Sequence, residues 1–315
     1  MSLAGKILLH AWHQPVDRLR DSLRNGGPFV ERETERQRLQ MVEAAAALPA
    51  LPVPPAPAPR LVLHLLTGRR FLYQAAFCLH SLARQSGAAI EAHVYDDGSF
   101  DAALRDQLAR LGPGVVFHPI EDTRTRLDDL LPEARFPVLR ERWRNYPNLR
   151  KLTDPHLRST GWKLVIDSDL LFFRRPDALL AWSAAPDRPF HAVDCLESYG
   201  YSRALMEKLA GAPIPPLVNV GLCGLRSESI NWAELESWCA ELIAREKTSY
   251  YLEQALVAML VARQQPCAIA PAADYVTNPG KAEGMHPTAV MHHYVAASKR
   301  WYYRHGWREV RRQLA

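Results

Sequence analysis

Short apolar runs alternate along the chain with longer stretches of helical periodicity. Leu61-Val62-Leu63-His64-Leu65-Leu66 is a short apolar run ending at Thr67-Gly68, which predicts a buried strand followed by a turn. Phe71 to Arg84 carries apolar residues at helical spacing, and Glu91 to Tyr95 predicts a second strand that ends in Asp96-Asp97-Gly98-Ser99. Leu104, Leu108 and Leu111 share one face of the next helix, and Val115-Val116-Phe117 is a third strand. Trp162 to Ile166 is a fourth, ending at Asp167-Ser168-Asp169. Asn231-Trp232-Ala233-Glu234 has the form of a capping box, opening a helix that turns Trp232, Leu235, Trp238 and Leu242 inward. Tyr250 to Val261 predicts a further helix. Strands alternating with helices predict an α/β fold with a Rossmann-like, mostly parallel central sheet flanked by helices. No internal repeat is visible.

Upstream of Arg60 the pattern changes. Glu31 to Ala47 is helical sequence rich in Arg and Glu, set after a Gly26-Gly27-Pro28 break. Leu48 to Pro59 then holds six prolines among alanine and leucine, a composition that favours extended backbone and marks a linker. The predicted division is an N-terminal helical extension with its proline-rich linker over residues 1–59, and a main domain over residues 60–315.

A hydrophobic content of 48% and a charged content of 23% exclude wholesale disorder, and 315 residues suffice for a large core. The five cysteines, Cys78, Cys195, Cys223, Cys239 and Cys267, are odd in number, far apart and without a CxxC pair. This argues against a disulfide framework or structural zinc and points to a reducing, cytoplasmic setting. No apolar run approaches the roughly 18–20 residues of a membrane span, and the apolar patch in MSLAGKILLHAWHQP is short and lacks a cleavage pattern. The net charge of +5 fits an anionic partner, whether nucleotide phosphates, nucleic acid or an acidic membrane. Basic residues are dispersed except between Arg300 and Arg312, which does not favour nucleic acid. Arg304, Arg308, Arg311 and Arg312 form a basic helix face, read as solvated, with peripheral membrane contact as the alternative.

The candidate chemistry gathers where strands end. In parallel sheets ligands collect at the carboxyl ends of the strands, and here three predicted strands end in Thr67-Gly68, Asp96-Asp97-Gly98 and Asp167-Ser168-Asp169. Asp167 and Asp169 are two apart, so on extended backbone they point the same way. Two carboxylates so placed repel unless a cation or proton lies between them, and their oxygens suit Mg²⁺ or Mn²⁺, which would also bind a diphosphate. A bare Asp-x-Asp is more often a solvated turn. The apolar runs Leu164-Val165-Ile166 and Leu170-Leu171-Phe172-Phe173 on either side pin this one between buried segments, which favours the metal reading. Asp96-Asp97-Gly98-Ser99 reads equally as a ribose- or base-binding strand end and as a self-capped turn.

The segment from Arg150-Lys151-Leu152 through Lys163-Leu164-Val165-Ile166-Asp167-Ser168-Asp169 resembles the core of GT-A glycosyltransferases, in particular glycosyltransferase family 8. Phe190-His191-Ala192-Val193-Asp194, Asn219-Val220-Gly221, Glu253-Gln254 and the His293-x5-Lys299-x-Trp301 spacing resemble the family's later motifs, in the same order. The resemblance implies a GT-A fold and transfer of a sugar from a nucleotide-diphosphate donor, with UDP favoured, to a glycan, lipid-linked or small-molecule acceptor. It implies Mn²⁺ or Mg²⁺ held by Asp167, Asp169 and His293, with adjacent His292 as the less favoured third ligand. It places Lys299 and Arg150 or Lys151 at the leaving phosphate. Asp194, Asn219, Gly221 and Gln254 fall at the sugar, and Thr67, Asp96, Asp97, Ser168 and Trp301 in the rest of the donor site. Arg300 stands where the family has proline and Glu253 where it has aspartate, while Asp96-Asp97-Gly98-Ser99 looks like a family 2 motif. On a family 8 course the enzyme needs no conventional base; on a family 2 course Glu253 is the candidate base. A nucleotidyltransferase or nucleotide-sugar pyrophosphorylase, and a non-catalytic nucleotide-sugar-binding protein, are the rival readings. The first would need a glycine-rich loop where Thr67-Gly68-Arg69-Arg70 stands.

Overall fold

A computed structural model describes residues 27–314, so the apolar patch at the chain start lies outside the described residues. Helix α1 (Pro28–Ala46) precedes β1 (Arg60–Thr67), α2 (Leu72–Ser86), β2 (Ala89–Asp96), α3 (Ala102–Ala109) and β3 (Val115–His118). Helices α4 (Ile120–Leu130), α5 (Pro137–Asn145) and α6 (Leu149–Thr153) lead to β4 (Trp162–Ile166) and β5 (Leu170–Phe172). Next come α7 (Asp177–Ala184), β6 (Phe190–Val193), α8 (Arg203–Ala210), β7 (Val218–Arg226), α9 (Trp232–Glu246) and α10 (Leu252–Ala262). The chain continues through β8 (Ala268–Ile269), β9 (Tyr275–Thr277), α11 (Lys281–Met285) and β10 (Met291–His293). It finishes in a helical tail over 299–314 that widens into a π-turn at Tyr302–Gly306.

Seven strands form one sheet in the order β3-β2-β1-β4-β7-β6-β8. β1 runs parallel to β2 and β4, β2 to β3, and β6 to β8, while β7 runs antiparallel to β4 and β6. The sheet is therefore mostly parallel, as the strand–helix alternation predicts. Leu61, Leu63 and Leu65 of β1 share one core with α2, Met41 of α1 and Trp307 of the tail, whereas α10 and the buried faces of α8 and α9 build a second core. Helices α2 and α10 are buried almost all round, because each lies between the sheet and an outer layer. In α9 the side chain of Asn231 accepts from the amides of Ala233 and Glu234, so the predicted cap forms. Glu234 pairs instead with Arg263, so the reciprocal half of the box does not.

The segment before β1 is docked. Between Leu48 and Pro59 the prolines leave no helix or strand. Yet Met41, Ala45 and Leu51 are buried in the first core, and the Leu51 amide donates to the Leu111 carbonyl at 2.9 Å. Arg308 of the tail donates to Gln37 and Gln40 of α1. The proline-rich stretch is thus a strap tied to the main core. Of the basic tail face, Arg308, Arg311 and Arg312 are exposed, and Arg312 pairs with Glu309. No helix among the described residues is long and apolar enough to cross a membrane.

A second sheet, β5-β10-β9, stands beside the carboxyl end of β4. β10 runs antiparallel to β5 with His293 opposite Leu170, which brings the end of β10 to the Asp167-Ser168-Asp169 turn.

Candidate functional site

The ends of β1, β2, β4 and β6 and the start of β7 supply the polar residues of one rim. Asp167 leaves β4 with its amide donating to the Gly221 carbonyl at 2.8 Å, one step beyond the β4–β7 ladder. Asp169 immediately precedes β5, and its carbonyl accepts from the Tyr294 amide at 3.2 Å. These two attachments aim both carboxylates at His293. One ligand atom each from Asp167, Asp169 and His293 lies within 4.8 Å of the others.

His293 Nε2 lies 3.4 Å from Asp169 Oδ1 and 3.7 Å from Asp167 Oδ2. A shell with metal–oxygen distances of about 2.1 Å sets ligand atoms roughly 3–4 Å apart, so the spacing fits a Mg²⁺- or Mn²⁺-sized ion. Asp169 Oδ1 is buried and makes no hydrogen bond. An orphaned carboxylate oxygen facing an imidazole nitrogen and a second carboxylate is what a metal would satisfy. His292, the neighbour on the strand, points to the other side, within 2.8 Å of Glu283 and 2.9 Å of the Tyr294 hydroxyl. Strand alternation therefore selects His293 for this cluster.

Two ammonium groups flank the carboxylates. Lys151 donates to Asp167 Oδ1 at 2.9 Å and lies 3.5 Å from Glu253. Lys299 donates to Asp169 Oδ2 at 2.5 Å. Burial pulls the Lys151 pKa down, but Asp167 and Glu253 outweigh it and hold it above the lysine range. Burial pushes Asp169 up, but Lys299 and His293 outweigh that and hold it well below the carboxylate range. Burial pushes Glu253 up to about 7, against the opposing pull of Lys151.

A cleft of about 200 Å³ opens over this cluster, with Thr67, Asp97, Lys151, Asp167, Ser168 and Asp169 in its wall. Thr67 Oγ1 is buried there without a partner. At Gly68 a Cβ would fall 1.9 Å from the Asp97 carboxylate, so a side chain there would displace Asp97. Gln254 donates to Asp194 and to the Val218 carbonyl, each at 2.9 Å, at the end of β6 and the start of β7.

The fold as a whole is similar to that of solved structures. A galactosyltransferase, LgtC, in complex with donor and acceptor sugar analogues is similar over 75% of this chain and 87% of its own, with 14% identity and a TM-score of 0.50. A bifunctional glycosyltransferase, WbbM, is similar over 84% of this chain and 53% of its own, with 10% identity and a TM-score of 0.50. The fold is the GT-A glycosyltransferase fold. No protein-family model and no curated protein matches the sequence.

Within this GT-A frame the residues singled out in the sequence divide. Asp167, Ser168, Asp169, His293, Lys151, Lys299, Thr67 and Asp97 come together around the cleft floor, and Gln254 pairs with Asp194 at the end of β6. Asn219 and Gly221 lie behind His293. Four others sit apart from the cleft wall. Arg150 is buried, pairs with Asp154 at 3.0 Å, donates to the Asp96 carbonyl and lies over the Trp143 ring; Lys151, its neighbour, is the one that reaches Asp167. Asp96 Oδ1 caps its own turn, accepting from the amides of Gly98 at 2.6 Å and Ser99 at 3.1 Å. Trp301 is a core residue packed so closely on Gly284 that a Cβ there would meet it at 2.6 Å. Glu253, 4% exposed, lines an interior void below Lys151 together with His156 and Val257.

The cleft wall also contains Phe71, Gln74, Asn148 and Tyr250, which sequence reasoning did not mark as site residues. Phe71 follows the β1 loop directly, so its place at a strand end was a usable signal. Tyr250 is 72% exposed at the cleft, brought there by the entry to α10, which no local pattern reports.

Proposed function

We propose that this chain is a metal-dependent glycosyltransferase that moves a sugar from a nucleotide diphosphate, with UDP favoured, to an acceptor hydroxyl. The observation that carries the proposal is the convergence of Asp167, Asp169 and His293, with Asp169 Oδ1 orphaned, at the strand ends of a GT-A sheet. These three side chains would hold Mn²⁺ or Mg²⁺, which when bound neutralises a diphosphate and stabilises its departure. Lys299, from the tail, supplies a partly exposed ammonium beside that charge, and Lys151 fixes Asp167 from below. Thr67 Oγ1 and the Asp97 carboxylate offer one donor and one acceptor pair for the nucleoside. The Asp194 carboxylate and the side-chain oxygen of Gln254 offer acceptors for sugar hydroxyls.

Glu253 bears on the stereochemical course. It is buried, 3.5 Å from the Lys151 ammonium, and lines the void below that lysine. This supports the course without a side-chain base. The five cysteines are all free, which accords with a reducing, cytoplasmic setting. The acceptor is a glycan, a lipid-linked sugar or a small molecule.

The test is release of free UDP from UDP-sugars with and without added Mn²⁺, together with melting of the Asp169→Asn variant. UDP with Mn²⁺ should raise the melting temperature of the wild type but not of Asp169→Asn, and EDTA should abolish the difference. Equal stabilisation of both proteins, regardless of EDTA, would show that the metal assignment is wrong.

A further inference from the structure

We infer that Asn219 is a positioning residue of the candidate metal centre, its side-chain carbonyl dictating which nitrogen of His293 faces the two aspartates. The inference rests on the metal reading above and goes beyond it, since the resemblance puts Asn219 at the donor sugar.

The Gly221 N–H, a donor in every state, points at one atom of the Asn219 amide at 2.9 Å, so that atom is the oxygen. The same oxygen lies 3.1 Å from His293 Nδ1. An oxygen there accepts, so Nδ1 carries the hydrogen and Nε2 keeps its lone pair. Nε2 is the nitrogen that faces Asp169 Oδ1 and Asp167 Oδ2. Asn219 is buried, and its oxygen is engaged with Gly221 and His293. A metal-binding imidazole needs such a partner behind it to fix tautomer and ring angle.

Gly221 completes the device. A Cβ at that position would fall 2.3 Å from His293 Cε1 and 2.7 Å from Nδ1, so only glycine leaves room for the ring. Asn219 and Gly221 thus act together, one holding the imidazole and the other making space for it. Their strand, β7, also supplies the Gly221 carbonyl that fixes Asp167. One antiparallel strand therefore aligns two of the three ligands.

The probe is Mn²⁺ alone, with binding read from loss of the free-ion EPR signal. Asn219→Ala should weaken Mn²⁺ by about 10–100-fold, the usual cost of losing the partner behind a metal-binding histidine. Asn219→Asp, which keeps an oxygen facing both donors, should bind Mn²⁺ at least as tightly as wild type and melt normally without metal. Wild-type affinity in Asn219→Ala would overturn the inference, as would equal weakening in the Ala and Asp variants. A higher KM for the donor with unchanged Mn²⁺ affinity would make Asn219 a sugar ligand instead. Should Asn219→Ala not fold, Gly221→Ala carries the same expectation, and unchanged Mn²⁺ affinity there would overturn it. Wild-type protein that binds no Mn²⁺ would defeat the metal reading itself, a result distinct from failure of the Asn219 assignment alone.

Discussion

Lys299 and Asp169 are joined Nζ to Oδ2 at 2.5 Å, so the carboxylate that faces His293 through one oxygen is held through the other by the helical tail. Lys151 plays the matching part on Asp167, at 2.9 Å. Each aspartate of the pair thus has its own ammonium, which relieves the repulsion that two converging carboxylates would suffer alone. The two lysines differ in freedom. Lys151 is locked between Asp167 and Glu253, whereas the Lys299 side chain is 32% exposed and can leave Asp169 for a diphosphate.

From that difference, Lys299→Ala should lower kcat more than donor affinity. Loss of one preorganised charge contact costs about 10²–10³ in rate, and a similar order is expected here. Lys299→Arg should not restore it, because a planar fork does not replace a compact ammonium. Steady-state kinetics with a UDP-sugar decide the point: an unchanged kcat with a raised KM would place Lys299 in ground-state binding only.

Removal of residues 1–59 should destabilise the protein. Met41 and Leu51 are buried in the first core, and a large apolar side chain so buried contributes about 1.5–3 kcal/mol. Two such losses are a large part of a stability of roughly 5–15 kcal/mol. The truncated protein should show a lower urea midpoint or poor solubility. A midpoint equal to that of the full chain would show the strap to be a passive linker.

Acid should unfold the protein through histidines that the fold keeps neutral. Burial, then neighbouring His93, pushes His64 down to about 2; burial likewise pushes His118 to about 4 and His156 to about 3, from an ordinary 6.5. Each folded pKa lies below the unfolded one, so the unfolded chain binds more protons as pH falls. Stability from these groups is full above about pH 6.5 and is lost progressively toward pH 4 and below. His64→Leu should flatten the fall in urea midpoint over this range, although loss of the Tyr95 partner at 3.2 Å lowers the whole curve. An identical pH slope in variant and wild type would refute the assignment.

Trp301→Ala should act on stability and not on the donor. The ring is packed on Gly284 in the first core, and truncation of a buried tryptophan costs about 3–5 kcal/mol. The residual folded protein should bind UDP and Mn²⁺ as the wild type does. A selective loss of UDP affinity at unchanged melting temperature would return Trp301 to the donor site.

The sequence by itself determined β1 to β4 and the carboxylate pair. β4 spans Trp162–Ile166 as its apolar run predicts, and β1 and β2 contain the runs that marked them. Such runs are local: burial on a sheet demands them whatever the rest of the chain does. The shared direction of Asp167 and Asp169 is local as well, a property of extended backbone two residues apart. The choices among neighbours belonged to the tertiary structure. His293 faces Asp167 and Asp169 and His292 does not because β10 pairs with β5 in one register, and a slip of one residue would exchange them. Lys151 reaches Asp167 while Arg150 turns to Asp154, because α6 is a helix and adjacent residues on it diverge. The position of Asn219 behind His293, and of Met41 and Leu51 inside the core, follows from contacts between segments distant along the chain. Spacing within a motif reports which residues can meet along one element, and only the packing of elements on one another decides which of them do.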